Sequence, residues 1–308
     1  MPAVLVLFLD GVGLGQDDRS CNPLAAARTP FLETVLGGRK LLAGAAPFHG
    51  ELATLVAIDA CLGVAGMPQS ASGQAALLTG RNVPAEIGEH YGPKPNPAIA
   101  EIVRTRNLFM ETVQRGGSAA LLNAYPPAYY QAIDSRRRLY SAIPMAARAA
   151  GLALMTAEDL QAGRALSPDF TGAGWRAQPG FPPAPLLTPR QAGLRLASLA
   201  SAYSLAWFDH WPSDYAGHRA SMPQAVELVE TLDGVLAALM ESWAERRGLI
   251  VVTSDHGNLE DLRGRRHTRN PVPGLLLGPQ DLRHSFSDGL VDLTGFHDAI
   301  LRTLDLGA

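Results

Sequence analysis

The stretch VLVLFLDGVG, residues 4–13, decides the fold, because six consecutive apolar residues run directly into Asp10 and a turn that contains glycine. An apolar run without polar alternation is typical of a strand buried on both faces, as in a parallel sheet covered by helices. Ligands of open α/β sheets gather at the carboxyl ends of such strands. The stretch therefore indicates an α/β protein and makes Asp10 a first candidate for a binding site.

Further apolar runs of the same kind occur along the chain, with helical patterns between several of them. Strands are predicted at 3–9, 53–58, 117–122, 203–208, 249–253 and 273–277. Helices are predicted at 73–79, 99–114, 223–247 and 293–304. This alternation of strands and helices favours a three-layer α/β/α sandwich.

The middle of the chain has a different composition. From about residue 89 to residue 188 it is rich in proline, glycine, tyrosine and arginine, as in GPKPNP, AYPPAYY and PGFPPAP. The motifs with metal-binding residues all lie outside this stretch. We therefore expect a metal-binding catalytic core made of residues 1–90 and 190–308, and a smaller inserted cap of residues 91–189 that selects the substrate.

The composition limits the partners. A net charge of −3 gives no electrostatic reason to expect nucleic acid or an acidic membrane. Cys21 and Cys61 are the only cysteines, so no disulfide framework is indicated and a reducing compartment fits. The apolar run at the N-terminus is far shorter than the ~20 residues that span a bilayer. We therefore expect a cytoplasmic protein with neither a membrane nor a nucleic acid as partner.

Three later motifs contain side chains that bind divalent metals well. The candidate ligands in them are Asp214 and His218 in DYAGH, Asp255 and His256 in SDHGN, and His267 in HTRNPVP. Mixed aspartate and histidine ligation suits zinc, manganese or iron better than calcium, which prefers oxygen ligands alone. Two such ions about 3.5–4 Å apart can clamp the attacking and leaving oxygens of a phosphoryl transfer. Together with Asp10, the motifs predict a two-metal site.

The motif MPQSASGQAALLTGR, residues 67–81, contains the candidate nucleophile, Ser70. A nearby metal ion would lower the pKa of its hydroxyl, so that no histidine base is required. If a helix begins near Ser70, its amide dipole would also help to hold a bound phosphate. From the residues alone two alternatives stay open: Ser72 is the nucleophile, or Ser70 is only a helix cap.

Taken together, these motifs resemble the alkaline phosphatase superfamily, and within it the branch of cofactor-independent phosphoglycerate mutase and phosphopentomutase. The resemblance covers roughly residues 1–90 and 200–308. It rests on LDGVGLG, NPLAAARTPFL, DYAGH, SDHGN and HTRNPVP, which occur in the family's order. The family fold is a mostly parallel sheet between helices. The family's nucleophile stands ten residues before a glycine that matches Gly80, which implies Ser70 in place of Ser72.

The resemblance also implies two divalent metal ions as cofactors, manganese as in the mutases or zinc as in the phosphatases. One ion would be held by Asp214, His218 and His267, and the other by Asp10, Asp255 and His256. Ser70 would also be a metal ligand, reaching between the two ions. Its hydroxyl would attack phosphorus and form a phosphoserine. Water or a second hydroxyl of the substrate would then discharge this intermediate.

The chain departs from the mutases at positions that would contact the substrate. Gln74 stands where those enzymes carry a histidine, and they hold the transferred phosphate with arginines and a lysine of the cap. The weak candidates for substrate contact in this chain are Gln74, Lys94, Arg136, Arg137 and Arg138. The arginine run is also typical of an exposed basic helix, so its assignment rests on charge alone.

The sequence therefore favours a phosphatase or phosphodiesterase that acts on a small phosphorylated metabolite through phosphoserine at Ser70. The alternative is a phosphomutase, because a cap that excludes water would return the phosphoryl group to the substrate. A non-catalytic metal-binding homologue is less favoured, since none of the seven candidate positions is missing. A hydrolase of the Ser-His-Asp type is not favoured, because the chain has no Gly-x-Ser-x-Gly elbow.

Overall fold

The computed structural model describes residues 2–243 and 248–306. The strands are β1 (Ala3–Leu9), β2 (Phe48–His49), β3 (Ala53–Ile58), β4 (Ala119–Leu121), β5 (Leu205–His210), β6 (Gly248–Thr253) and β7 (Val272–Leu277). The α-helices are α1 (Pro23–Ala26), α2 (Pro30–Val35), α3 (Ser70–Thr79), α4 (Val83–Ile87), α5 (Pro97–Thr105), α6 (Leu108–Gln114), α7 (Pro127–Asp134), α8 (Ala142–Ala149), α9 (Ala157–Gln161), α10 (Ala173–Arg176), α11 (Pro189–Ala200), α12 (Pro212–Arg219), α13 (Met222–Trp243), α14 (Gln280–Ser287) and α15 (Gly295–Leu304). None of the helices within these described ranges combines the length and apolar character that crossing a bilayer requires.

The seven strands of the described residues join in one sheet, in the order β2-β3-β7-β6-β1-β5-β4. β1 runs parallel to both of its neighbours, β5 and β6, and β4 runs parallel to β5. β7 is antiparallel to β6 and to β3, and β2 is antiparallel to β3. Five of the seven strands therefore point in the same direction, which confirms a mostly parallel sheet.

Helices cover both faces of the sheet, and β1 shows this most clearly. Its alternate residues belong to two different apolar cores: Val4, Val6 and Phe8 to one, and Leu5, Leu7 and Leu9 to the other. α3 and α15 contribute to the first core, and α11 and α13 contribute to the second. The three-layer α/β/α sandwich is thus confirmed. Burial on both faces explains why this strand has no polar alternation.

The predicted strands agree with the structure, most closely at β1 and β3, whose bounds are the predicted ones. The other predicted strands begin and end within two residues of the observed bounds. β2 was not predicted, because two residues are too few to show a pattern. The predicted helix 223–247 corresponds to α13 up to Trp243, and its last four residues lie outside the described ranges.

The prediction of a single helix at 99–114 is wrong, because α5 and α6 are separate helices. Arg106 has an extended backbone and ends α5. Asn107 is the N-cap of α6, and its side-chain oxygen accepts from the backbone N–H of Met110 at 3.1 Å. Its amide nitrogen donates to the carbonyl of Val103 at 2.9 Å. One side chain therefore satisfies backbone groups of both helix ends, which stabilises the break.

Residues 91–189, predicted as an inserted cap, lie partly within the core. β4 is an edge strand beside β5, and α5, α6 and α8 share an apolar core with α3, so the core extends beyond the predicted boundary at residue 91. A separate and smaller apolar cluster forms around Trp175, with members from Ala124 to Ala184. This later part has a core of its own, and the role in substrate selection stays a prediction.

The carboxyl ends of β5, β1 and β6 meet at one edge of the sheet, because these strands are parallel neighbours in matching register. Asp10 follows β1 directly, Asp255 follows β6, and Asp214 lies on α12, which follows β5. The fold therefore brings three carboxylates that are distant in the chain to the same place.

His210, the last residue of β5, is a buried histidine close to this edge. Its Nδ1 donates to the carbonyl of Pro168 at 2.7 Å, and its ring stacks on Phe170 with centroids 4.6 Å apart. Burial lowers the pKa of His210 to about 4, whereas the pKa in the unfolded chain is about 6.5. The unfolded state binds more protons between these two values. The contribution of neutral His210 to the free energy of unfolding is therefore lost as the pH falls from about 6.5 towards about 4.

We expect His210→Phe to reduce this pH dependence, because phenylalanine fills the stacked position without a titrating group. Between about pH 7.5 and about pH 5, the free energy of unfolding of the wild type should fall by ~2 kcal/mol more than that of the variant. Urea denaturation of both proteins at the two pH values measures this difference. Equal losses in the two proteins would contradict a neutral buried imidazole.

Candidate metal centre

The six candidate ligands lie on four segments that converge at the carboxyl edge of the sheet. Asp10 follows β1, Asp255 and His256 follow β6, Asp214 and His218 lie four residues apart on α12, and His267 lies between β6 and β7. Residues with this spacing on a helix share one face. The structure brings all six side chains into one cluster.

Asp10, Asp255 and His256 form what we call the inner group, which is buried. His256 Nε2 lies 3.4 Å from Asp10 Oδ1 and 3.7 Å from Asp255 Oδ1. One ligand atom from each residue lies within 4.8 Å of the other two, so a single ion can be held by all three.

Asp214, His218 and His267 form what we call the outer group, which is nearer the surface. Asp214 Oδ1 lies 3.4 Å from His218 Nε2 and 3.7 Å from His267 Nε2. The ring of His267 stacks on that of His256 with centroids 3.7 Å apart, so the two groups are contiguous. Asp214, His256 and His267 also present ligand atoms within 4.8 Å of one another. His256 therefore lies between the groups, and the assignment of each ligand to one ion stays a prediction.

Backbone carbonyls fix which ring nitrogen each histidine presents. His267 Nδ1 lies 2.8 Å from the carbonyl oxygen of Pro68, and His218 Nδ1 lies 3.0 Å from that of Arg265. Because a carbonyl only accepts, Nδ1 carries the proton of the neutral ring, and Nε2 presents its lone pair to the cluster. His256 also directs Nε2 at the cluster. Metal-binding histidines are oriented in this way.

The electrostatics of the cluster call for a cation. Burial, followed by the carboxylates of Asp255 and Asp214, raises the pKa of Asp10 well above its usual range. Burial also raises the pKa of Asp255 to about 7 and lowers the pKa of His256 and His267, so both imidazoles stay neutral. Asp10 Oδ1 is buried without a hydrogen-bond donor among the described residues. Crowded carboxylates beside neutral imidazoles fit divalent zinc or manganese.

Ser70 is the first residue of α3, and its hydroxyl lies 3.0 Å from His256 Nε2. The N-cap of the helix is Gln69, so the alternative that Ser70 is a cap does not hold. Ser72 is fully buried, and its hydroxyl accepts from the backbone N–H of Tyr91 at 3.0 Å and donates to the carbonyl of Gln69 at 3.3 Å. The geometry therefore favours Ser70 over Ser72 as a nucleophile.

Gln74 lies one turn further along α3 and faces the inner group. Its Nε2 donates to Asp10 Oδ2 at 3.3 Å and to Asp255 Oδ2 at 3.0 Å. The side chain is buried and engaged with both carboxylates. Gln74 therefore orients two candidate ligands, and its contact with substrate stays a prediction.

The other weak candidates for substrate contact are dispersed. Burial, followed by the charge of Arg138, lowers the pKa of Lys94, while the carboxylates of Asp209 and Asp10 oppose this shift. Arg136 and Arg137 are exposed, as is Arg138. Lys94 is half-buried. The three arginines are exposed, as the alternative of an exposed basic helix predicts, but the prediction of a helix there is wrong, because α7 ends at Asp134.

Sequence reasoning missed several polar residues that hold the ligand loops. They are Ser213, Ser254, Asn258 and Glu260. Asn258 Nδ2 donates to Asp214 Oδ1 at 2.7 Å, and the hydroxyl of Ser213 donates to the carbonyl of Asp10 at 2.7 Å. Ser213, Ser254 and Asn258 lie within two residues of a predicted ligand, which is the signal that could have identified these three.

Known proteins are similar to parts of this chain. The family model of the Metalloenzyme superfamily matches residues 195–298, which contain five of the six candidate ligands. The 2,3-bisphosphoglycerate-independent phosphoglycerate mutase of Rhodopseudomonas palustris is 37% identical over 83 residues. The match covers 25% of this chain and 16% of the mutase, so the chain corresponds to a small part of that relative's length.

Solved structures share the fold over the whole chain. The PH0037 protein of Pyrococcus horikoshii has a TM-score of 0.59 at 12% identity, covering 100% of this chain and 98% of that protein. The alkaline phosphatase of the Antarctic bacterium TAB5 has a TM-score of 0.55 at 12% identity, covering 99% and 98%. The two solved structures therefore show the fold that the resemblance implies, and the family model relates residues 195–298 to the Metalloenzyme superfamily, so both comparisons support the resemblance drawn from the sequence.

We expect Gln74→Leu to weaken metal binding, because Asp10 and Asp255 would lose the amide that holds both carboxylates. Loss of such a partner typically lowers metal affinity by about tenfold or more. Calorimetric titration of the metal-free protein with manganese or zinc measures the change.

The matched control is Thr79→Val, on the same helix. It removes a buried hydroxyl that donates to the carbonyl of Ala75 at 2.7 Å, away from the cluster. We expect this variant to bind metal as the wild type does. If Gln74→Leu also binds as tightly as the wild type, its amide does not position the ligands.

Proposed function

We propose that this protein is a phosphotransfer enzyme that uses two divalent metal ions, manganese or zinc, and a phosphoserine at Ser70. Its substrate would be a small phosphorylated metabolite, and its first activity that of a phosphatase or phosphodiesterase. The observation that carries the proposal is the position of Ser70 Oγ, 3.0 Å from His256 Nε2, beside three carboxylates and three imidazoles.

The inner group would hold one ion and the outer group the other, with Ser70 reaching between them. When bound, the ions would lower the pKa of the serine hydroxyl and stabilise the charge of the transferred phosphoryl group. The candidate ligands already lie close together. The Nδ1 atoms of His267 and His218 are bonded to backbone carbonyls, so that their Nε2 atoms can bind a metal ion.

α3 adds positive potential at the point of attack. Ser70 and Ala71 open this ten-residue helix, and their backbone N–H groups have no acceptor within it. The N-terminal end of the helix dipole favours a bound phosphate. The contact with His256 Nε2 at 3.0 Å restrains the Ser70 hydroxyl, so that less entropy would be lost when it aligns with phosphorus.

The reaction would proceed in two displacements. Ser70 Oγ would form a bond to phosphorus as the bond from phosphorus to the ester oxygen breaks. The serine gives up its proton, and the departing oxygen takes one up and leaves as an alcohol. Water would then attack the phosphoserine, release phosphate and restore the hydroxyl. In a mutase, a second hydroxyl of the substrate would take the place of water.

The size of the separate cluster around Trp175 supports hydrolysis as the first proposal. A mutase must keep water from the phosphoserine, which favours a large closing cap. The cluster here consists of a few small and aromatic residues between Ala124 and Ala184. A phosphomutase is the second proposal, because the curated relative from Rhodopseudomonas palustris is a mutase.

We expect Ser70→Ala to lower turnover of an aryl phosphomonoester by at least about 10³-fold, because the attacking oxygen is lost. Metal affinity should stay near that of the wild type, since the aspartates and histidines remain. The assay uses protein that has been treated with a chelator and then reloaded with manganese or zinc. The ratio of monoester to diester turnover distinguishes a phosphatase from a phosphodiesterase.

Ser72→Ala is the matched control, since it removes a neighbouring hydroxyl on the same helix that is bonded to the backbone of Tyr91. We expect it to keep most of the activity. Full activity of Ser70→Ala would overturn the phosphoserine mechanism. Absence of hydrolysis by metal-loaded wild type, together with transfer of a phosphoryl group between hydroxyls of one metabolite, would favour the mutase.

A further inference from the structure

Glu260 is a buried carboxylate in the loop after β6, and its side chain accepts four hydrogen bonds. Oε2 accepts from the backbone N–H of Gly13 at 2.9 Å and of Asn258 at 2.8 Å. Oε1 accepts from Asn270 Nδ2 at 3.0 Å and from the hydroxyl of Thr268. The residue is 1% exposed, so these four donors replace water around the carboxylate.

Each donor belongs to a segment that carries candidate ligands. Gly13 is in the turn that begins at Asp10, and Thr268 directly follows His267. Asn258 follows the pair of ligands at the end of β6, and its amide donates to Asp214 of the outer group. One carboxylate therefore joins segments of the inner group to segments of the outer group.

Three glycines make room for this side chain. A Cβ atom at Gly13 or at Gly257 would overlap the Glu260 carboxylate, and one at Gly15 would lie 2.8 Å from Glu260 Cγ. Because the carboxylate is held by four donors, it cannot move aside without breaking them. The glycines of the turn after β1 thus leave room for the Glu260 side chain as well as for an ion at Asp10.

We infer that Glu260 is a positioning residue that sets the distance between the inner and the outer group. The inference rests on the proposed function, because it concerns the two ions that these groups would hold. A general role in folding would affect both groups alike. If Glu260 links the loops, its substitution should affect the two groups differently, because its two carboxylate oxygens face different segments.

The variant Glu260→Gln distinguishes a link between the loops from a general role in folding. A glutamine side chain has one oxygen, and the N–H groups of Gly13 and Asn258 can only donate, so the oxygen should face them. The amide nitrogen would then face Thr268 and Asn270, whose side chains must reverse their roles. The link to the His267 segment is therefore weakened while the link to the β1 turn is kept.

We expect Glu260→Gln to lower the affinity for one of the two ions by about 10- to 100-fold, and to change the affinity for the other by a few-fold at most. Thr268→Val, which removes a single donor to Oε1, should give a smaller loss at the same ion. Calorimetric titration of the metal-free proteins with manganese or zinc measures both affinities.

Hydrogen exchange of the metal-free proteins provides a second readout. The Thr268 N–H, which donates to the carbonyl of Gly257 at 2.9 Å, should exchange faster in Glu260→Gln.

Asp233→Asn is the matched control. Asp233 is a buried carboxylate on α13 that accepts from the backbone N–H groups of Phe31 at 3.1 Å and Leu32 at 2.8 Å, away from the ligands. We expect this variant to be less stable than the wild type and to bind both ions with unchanged affinity.

Unchanged affinity for both ions in Glu260→Gln, or an equal loss for both ions, would overturn the inference. The same holds if Asp233→Asn loses as much affinity as Glu260→Gln. Failure of the proposed function gives a different result, because wild-type protein would then bind neither manganese nor zinc. A wild type that binds two ions and turns over substrate, beside an unaffected Glu260→Gln, removes the positioning role alone.

Discussion

The candidate site depends on one constraint, because the parallel sheet brings three carboxylates together and buries two of them, Asp10 and Asp255. β5, β1 and β6 are neighbours that point in one direction, so Asp10, Asp214 and Asp255 collect at one edge. Burying several charges of one sign costs several kcal/mol for each charge unless a counter-charge is present. In the protein without metal ions, this cost raises the pKa of Asp10 and of Asp255. Divalent cations bound at the cluster would remove this cost, and the rest of the site would then be arranged around the cations.

The surrounding residues hold this strained arrangement in place. Carbonyl groups orient the histidines, the amide of Gln74 holds two carboxylates, and the carboxylate of Glu260 ties the ligand loops. Each of these partners is buried or half-buried, where hydrogen bonds are less weakened by competition with water. The ligands are therefore positioned by the fold itself. Ser70, the proposed nucleophile, is buried at the start of α3.

The parts of the protein that follow from local patterns could be predicted from the sequence. β1 was predictable because burial on both faces leaves an unbroken apolar run. The inner group was predictable because its side chains come just after such runs. The break at Asn107 was not, since one polar residue within an amphipathic stretch gives no sign that it caps a helix. Glu260 was missed for a different reason. Its partners Gly13 and Thr268 are adjacent to it only in the fold, and no pattern within one segment shows a link between segments.

The proposed function requires that the inner and the outer group each hold one cation. Anomalous diffraction from crystals grown with manganese or zinc is the decisive measurement, because it locates each ion without reference to activity. We expect two anomalous peaks in the cluster, one bonded to Asp10, Asp255 and His256 and the other to Asp214, His218 and His267. A single peak, or peaks away from these side chains at full metal loading, would contradict it.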